Sequence, residues 1–241
     1  MSTAPGQKPG CGYPVMGVAG LLYLSHGGWE EIMPCDFREH DARVAPRFLD
    51  HMGQGELLLA GGAYCSYQFF FQPRDRKAQV IVRLHQVRHR MLDWRRGKRL
   101  GKDQRLVTWT KPLKKPTSNE LSDAQWEEIH EELEGRLIEK KVRNRQGKMR
   151  SLVVVTTLLD HERYPAEDVI DPSARHWGIE VQLRDVKTTL KTESFAVRTP
   201  EMANKTLVVM TNASNLLRAL FAAKRTRGWL ASLAHELQGH S

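Results

Sequence analysis

Glu180, Arg184 and Lys187 are spaced as a reactive stripe would be. Offsets of four and three return to nearly one face of a helix. A carboxylate on that face can hold a divalent cation while the two basic side chains meet phosphates. The same offsets also make a solvated ion pair between Glu180 and Arg184, and spacing alone favours that plainer reading. His85 and His89 stand four apart, as helical metal ligands do, but Arg88 and Arg90 surround them with positive charge that repels a cation. Cys65 follows Tyr64 and offers a thiol. A nucleophilic thiol needs a base, and no motif places a His beside it.

Charge offers a second kind of candidate. The 241 residues carry 37 Lys+Arg against 28 Asp+Glu, a net charge of +9. Such an excess suits a polyanionic partner, either nucleic acid or an acidic membrane face. Much of it lies between Arg83 and Lys115, where Arg95, Arg96, Lys98 and Arg99 are typical and only Asp93 and Asp103 oppose them. Trp94 and Trp109 fall in the same stretch. It reads either as a DNA-backbone surface with an aromatic near the bases or as a solvated loop with its tryptophans packed inside.

Composition excludes several classes. Hydrophobic residues at 40% and charged residues at 27% are those of a globular protein, not of a disordered, collagenous or disulfide-rich chain. Cys11, Cys35 and Cys65 form neither a disulfide framework nor a zinc set, which points to a reducing compartment, the cytoplasm. Lys8 before the apolar run Val15 to Leu24 imitates a signal peptide, but Gly10, Gly12 and Pro14 favour a core strand. No apolar stretch approaches the roughly 20 residues that cross a membrane.

The elements that must position these residues alternate in type. Strands are expected at Val15 to Ser25 and Trp29 to Met33 around a turn at His26 to Gly28. Val44, Phe48, Leu49 and Met52 give a helix over Arg43 to Met52. Glu56 to Ala60 reads as a strand buried on both faces. A helix from Tyr64, limited by Pro73, and a strand at Gln79 to Leu84 follow. Ser122 and Gln125 make a capping-box pattern for an acidic helix that runs to Glu134 and ends at Gly135. Leu137 to Arg143 and Met149 to Leu159 read as strands around a turn. Ala174 to Leu190 reads as helix, and Thr199-Pro200-Glu201 opens another, whose stripe from Met202 through Val209 and Leu216 to Leu220 is expected in the core. The order gives an α/β core interrupted by an insertion. The core occupies 13–85 and 150–225, a basic β-rich insertion with one acidic helix occupies 86–149, and 1–12 and 226–241 are tails.

Four stretches together carry a resemblance. They are Gln7 to Pro14; Leu58-Leu59-Ala60 with Tyr64 to Tyr67; Ser151 to Asp160 with Arg163-Tyr164-Pro165; and Trp177 to Glu180 with Arg184, Lys187 to Leu190, Thr199 to Met202 and Asn215 to Arg218. In order and spacing they resemble the DDE transposases of bacterial insertion sequences, of the IS-four group. The resemblance implies an α/β, ribonuclease H-like core with a β-rich insertion before the catalytic Glu. It implies metal-dependent phosphodiester cleavage and strand transfer with two magnesium ions held by three carboxylates. It also implies double-stranded DNA, at transposon ends, as the partner, with a homodimer as one assembly open to it and no membrane.

Carried over residue by residue, the family's catalytic, metal-binding Glu falls on Glu180, and its Lys seven positions later on Lys187. Arg184 lies between them on the DNA-facing stripe. The family's Tyr and Arg before the Glu are Ser173 and His176 here. The second catalytic Asp, in an Ala-Asp-Arg-Gly-Tyr type of run, is replaced by Gly61 in Ala60-Gly61-Gly62-Ala63-Tyr64. The first Asp belongs on a strand before the Gln7-Lys8-Pro9-Gly10 segment, so the core is expected to be incomplete, its first strand missing. One surviving carboxylate cannot build a two-metal site. The expectation is a truncated, degenerate transposase that does not transpose DNA alone. The alternative is a non-catalytic DNA-binding remnant that interferes with an intact transposase.

Overall fold

The computed structural model describes residues 2–3, 14–36, 38–39, 41–85, 88–89, 95–116, 121–143, 148–174 and 199–238. Two compact units result, one from Met1–Arg38 with Gly178–Ser241 and the other from Glu39–Trp177.

The first unit is a β-hairpin carrying a long helix. Strands β2 (Pro14–Leu22) and β3 (Trp29–Asp36) pair antiparallel, and the short β1 (Ser2–Thr3) pairs with the start of β2. The expected turn forms at His26 to Gly28, where Gly27 has a φ of 70 that favours glycine. Gly20 is required for a different reason: a Cβ there would collide with the Trp29 ring, which crosses it. The last helix, labelled α5 below, spans Pro200–Gln238, and the Thr199 hydroxyl accepts from Met202 N–H at 3.2 Å. Thr199 is therefore the cap that its sequence context predicted.

Helix α5 packs against β3, and Ala203, Leu207 and Thr211 are its buried positions. The expected stripe is offset from this face. Met202, Val209, Leu216 and Leu220 are exposed, which corrects their assignment to the core. Offsets of four from 203 to 211 chose the packed face, and the larger apolar residues fell outside it. Asn215 closes the contact like an added strand. Its Oδ1 accepts from Trp29 N–H and its Nδ2 donates to Trp29 C=O, both at 2.8 Å.

The second unit is built on a six-stranded sheet of order β4-β5-β9-β8-β7-β6. Its strands are β4 (Leu57–Ala60), β5 (Gln79–Arg83), β6 (Lys98–Gly101), β7 (Gln104–Thr110), β8 (Glu132–Arg143) and β9 (Met149–Thr156). β4 and β5 run parallel and all other neighbours antiparallel. One face packs Ile81, Ile138, Leu152 and Val154 against Val169 and Ile170 of α4 (Ala166–Ala174). By strand alternation Val80 and Val82 point the other way, and both are fully buried. Helix α2 (Tyr67–Asp75), capped by the Ser66 hydroxyl, also contacts β5.

Three expectations about local structure are corrected. Arg43 to Met52 is not one helix but α1 (Asp41–Val44) followed by a 3-10 helix over Ala45–His51, with Pro at its start. The buried positions Val44, Ala45, Phe48, Leu49 and Met52 still follow the expected helical spacing. The helix from Tyr64 begins later, at Tyr67, and tolerates Pro73 in its last turn. The acidic helix keeps its capping box but ends early, as α3 (Asp123–Glu128). Glu132 to Gly135 instead open β8, where a Cβ on Gly135 would press to 3.2 Å from Val155. The buried run from Gly135 to Ile138 fits a central strand better than the flanking glutamates fit a helix. The expected helix Ala174 to Leu190 and the turn at 144–147 lie outside the described residues, except for Ala174 at the end of α4. Among the described residues no helix is long and apolar enough to cross a membrane.

Asn215→Ala leaves a buried backbone pair at Trp29 unpartnered. It should destabilise the first unit by about 1–3 kcal/mol, read as lost hydrogen-exchange protection at Trp29. Asn212→Ala, exposed on the same helix, should stay within about 0.5 kcal/mol of the parent. Equal effects of the two would remove the role given to Asn215.

Candidate active site

Gly61 stands directly after β4, at its C-terminal end. Its φ of -73 and ψ of 171 are ordinary extended backbone, so its backbone conformation does not demand glycine. The chain then turns through a 3-10 helix, Gly62–Tyr64, with Tyr64 N–H donating to Gly61 C=O at 3.1 Å. Gly62 lies against the end of β5. A Cβ there would sit 3.5 Å from Arg83 C=O and 3.7 Å from His85 Cα.

Cys65 ends this turn, buried. Burial pushes its thiol up from the ordinary value, and a backbone hydrogen bond from His85 and the charge of Arg88 oppose that rise. A thiol held protonated is a poor nucleophile, so Cys65 is a packing residue. Arg88 and His89 lie beyond β5, and the Arg88 guanidinium is 5.2 Å from the centre of the Trp109 ring. Trp109 in turn packs on Phe70 of α2 at 4.9 Å. This tryptophan is thus held between a cation and the core.

The loop from Thr157 to Pro165 joins β9 to α4. Sequence reasoning did not single out what braces it, Arg136 on β8. Arg136 is fully buried. One of its terminal nitrogens donates to Tyr164 C=O at 2.7 Å and, at 3.4 Å, to Leu158 C=O. Its Nε donates to Gln104 Oε1 at 3.0 Å, and the other terminal nitrogen meets the same oxygen. Burial pulls its pKa down, and the charge of Asp160 opposes that. The signal available in the sequence was a lone Arg inside the run Gly135-Arg136-Leu137-Ile138.

The two threonines before this loop tie the strands together. Thr156 donates its hydroxyl to Val80 C=O at 2.7 Å, and Thr157 accepts from Val80 N–H at 2.9 Å. Asp160 caps the next turn by accepting from Glu162 and Arg163 N–H at 3.1 and 3.0 Å. The Arg163 N–H is the main cause that holds its carboxyl below the usual value, helped by the Glu162 N–H and by the charges of His161 and Arg163.

The structure separates the remaining site residues. Ser173 lies in the last turn of α4. His176, Glu180, Arg184 and Lys187 lie outside the described residues. Arg95, Arg96, Lys98 and Arg99 come together at the β6 edge, all exposed. Gly97 places them: its φ is 82, and a Cβ there would collide with Leu106 C=O. β6 and β4 are opposite edges of the sheet, five strand spacings or roughly 24 Å apart. The basic cluster is therefore remote from the Gly61 turn.

A two-metal site needs several convergent oxygen donors. Gly61 supplies none, and the described residues hold no group of three or more His, Cys, Asp and Glu able to bind a metal. These described residues do not fit the magnesium pair. The profile of the family described as Transposase DDE domain matches residues 36–216. No curated protein matches the chain.

Arg136→Met keeps apolar volume but strands the Tyr164 and Leu158 carbonyls. It should cost about 2–4 kcal/mol in urea unfolding, and an unchanged midpoint would contradict the bracing role. Asp160 gives a pH signature. Its folded pKa is depressed, so its contribution is present above the unfolded value of about 4 and is lost as pH falls through the lower folded value. Asp160→Asn should flatten the acid limb of stability against pH below about 4. An identical acid limb in parent and variant counts against the Asp160 turn as its source.

Proposed function

The chain belongs to the Transposase DDE domain family, and from that premise we propose that it acts on DNA in transposition but has lost its own cleavage chemistry. Within the family we place it in the IS-four group, on the order and spacing of its motifs. Gly61 carries the reading. Its position, after a strand that runs parallel to its neighbour, suits a carboxylate that receives metal, and its backbone is one that Asp adopts freely. The residue is nonetheless glycine.

In this reading Glu180 is the remaining metal-binding and catalytic position, with magnesium as the ion. Ser173, His176, Arg184 and Lys187 line the DNA-end contact, and Arg95, Arg96, Lys98 and Arg99 meet the backbone of the duplex. The protein then binds double-stranded transposon ends without cutting them. A bound, inactive copy occupies the ends that an intact transposase needs, and the same Gly61 favours this interfering role as the second reading. Homodimerisation and a cytoplasmic location belong to the same proposal.

The test offers the purified chain a duplex carrying the ends that flank its own gene, with magnesium or manganese. Binding without strand cleavage is expected. Cleavage that disappears in Glu180→Gln would overturn the loss of chemistry. No binding at all would overturn the DNA reading itself.

A further inference from the structure

Helix α5 is apolar on two sides. Ala203, Leu207 and Thr211 form its packed face, against β3. Met202, Val209, Leu216 and Leu220 lie roughly 150° further round the helix. Each has half or more of its surface in water, Val209 67% and Leu216 62%. Leu217 stands beside them, also half exposed. From Met202 to Leu217 the sequence has one charged residue, Lys205, and Glu201 holds its ammonium at 2.6 Å. A helix face that stays in water is normally charged or polar. This one is neither.

The spacing of the second face is regular. Met202, Thr206, Val209, Ala213, Leu216 and Leu220 follow one another at alternating intervals of four and three. That alternation is the repeat of a seam between two helices. Thr206 donates its hydroxyl to Met202 C=O at 2.8 Å, so its polar group is satisfied within the helix.

The intervals read the same from either end, as a self-complementary surface requires. A two-fold axis at the level of Thr211 would set Met202 opposite the partner's Leu220, Thr206 opposite the partner's Leu216 and Val209 opposite the partner's Ala213. Thr206 and Ala213 are the smaller members of their pairs. Bulk then meets a gap at both inner levels, and the two helices can approach closely.

Area fits the same occupant. The stripe from Met202 to Leu220 is roughly 27 Å long. Its exposed side chains present roughly 400–500 Å², as much as the largest patch on an ordinary monomer. Closing one such face on another buries roughly 800–1,000 Å², the low end of a specific interface. That is the scale of a reversible dimer.

We propose that α5 is a dimerisation helix, pairing antiparallel with α5 of a second copy through Met202, Val209, Ala213, Leu216 and Leu220. The proposal rests on the transposase reading for the existence of a homodimer, and it adds the surface that forms it.

Sedimentation velocity of the purified chain from about 1 to 100 μM follows the assembly. The parent should pass from monomer to dimer in this range. Val209→Glu puts a carboxylate opposite the partner's Ala213, and Ala213→Lys puts an ammonium opposite the partner's Val209. Each variant alone should associate at least about tenfold more weakly than the parent. Both positions are exposed in a single copy, so the unfolding midpoint at low concentration should not change. An equimolar mixture of the two variants should dimerise again, because one chain's new acid then meets the other's new base. Parallel helices would set Val209 against Val209 and gain nothing from mixing. Asn204→Lys, exposed away from the seam, should match the parent.

A parent that stays monomeric at about 100 μM overturns the interface, and duplex binding by that monomer leaves the transposase reading standing. A monomeric parent whose midpoint falls in Val209→Glu assigns the stripe to another part of the same chain and overturns the second copy. Parent-like dimers in both charged variants place the contact elsewhere. A mixture that stays monomeric overturns the antiparallel pairing. A dimer that binds no duplex keeps the interface and overturns the DNA reading.

Discussion

The second unit depends on a buried charge whose hydrogen bonds all go to neutral acceptors, with the Asp160 carboxylate as a nearby opposite charge. Arg136 has no exposed surface, and its hydrogen bonds go to two backbone carbonyls and one amide oxygen. A guanidinium is not deprotonated in a protein, so its cost of desolvation is met by those acceptors together with the charge of Asp160. That requirement fixes Gln104 on β7 and the Leu158 to Tyr164 loop around one point of β8. The loop in turn delivers the chain to α4, whose Val169 and Ile170 complete the core against Ile81 and Ile138. A polar constraint of this kind specifies one arrangement more sharply than apolar burial alone.

Several residues in the stretches that carry the resemblance are scaffold in the same sense. Thr156 and Thr157 bond β9 to β5, Asp160 closes a turn with two backbone N–H groups, and Tyr164 gives its carbonyl to Arg136. Asn215, at the other end of the chain, pairs with both backbone groups of Trp29. None of these residues reacts with anything in its observed geometry. They hold strands, loops and helices of each unit in place. Keeping all of them does not by itself supply a carboxylate.

Legibility in the sequence followed the range of the signal. The hairpin at His26 to Gly28, the Thr199 cap and the Ser122–Gln125 box are local patterns, and each formed as its residues dictate. The acidic helix failed beyond Glu128 because a pairing between β7 and β8 outweighed the local preference. The exposed stripe of α5 failed because hydrophobicity does not say which face meets β3. Gly61 was legible only through the resemblance, since a lone glycine after a strand has no chemistry of its own. Arg136 was hidden because charge in a sequence reads as surface until the strand pairing that buries it is known.

These two kinds of site respond differently to mutation. Metal-dependent cleavage needs several oxygen donors placed to a fraction of an ångström, so one substitution such as Gly for Asp abolishes the arrangement outright. Attraction to a phosphate backbone is a sum over many loosely positioned charges, each adding a similar increment to the salt dependence. Losing one lysine weakens such a surface without ending it. A sequence that drifts after losing its carboxylates therefore sheds cleavage at once and DNA affinity by degrees. The net charge of +9 fits the more tolerant of the two sites.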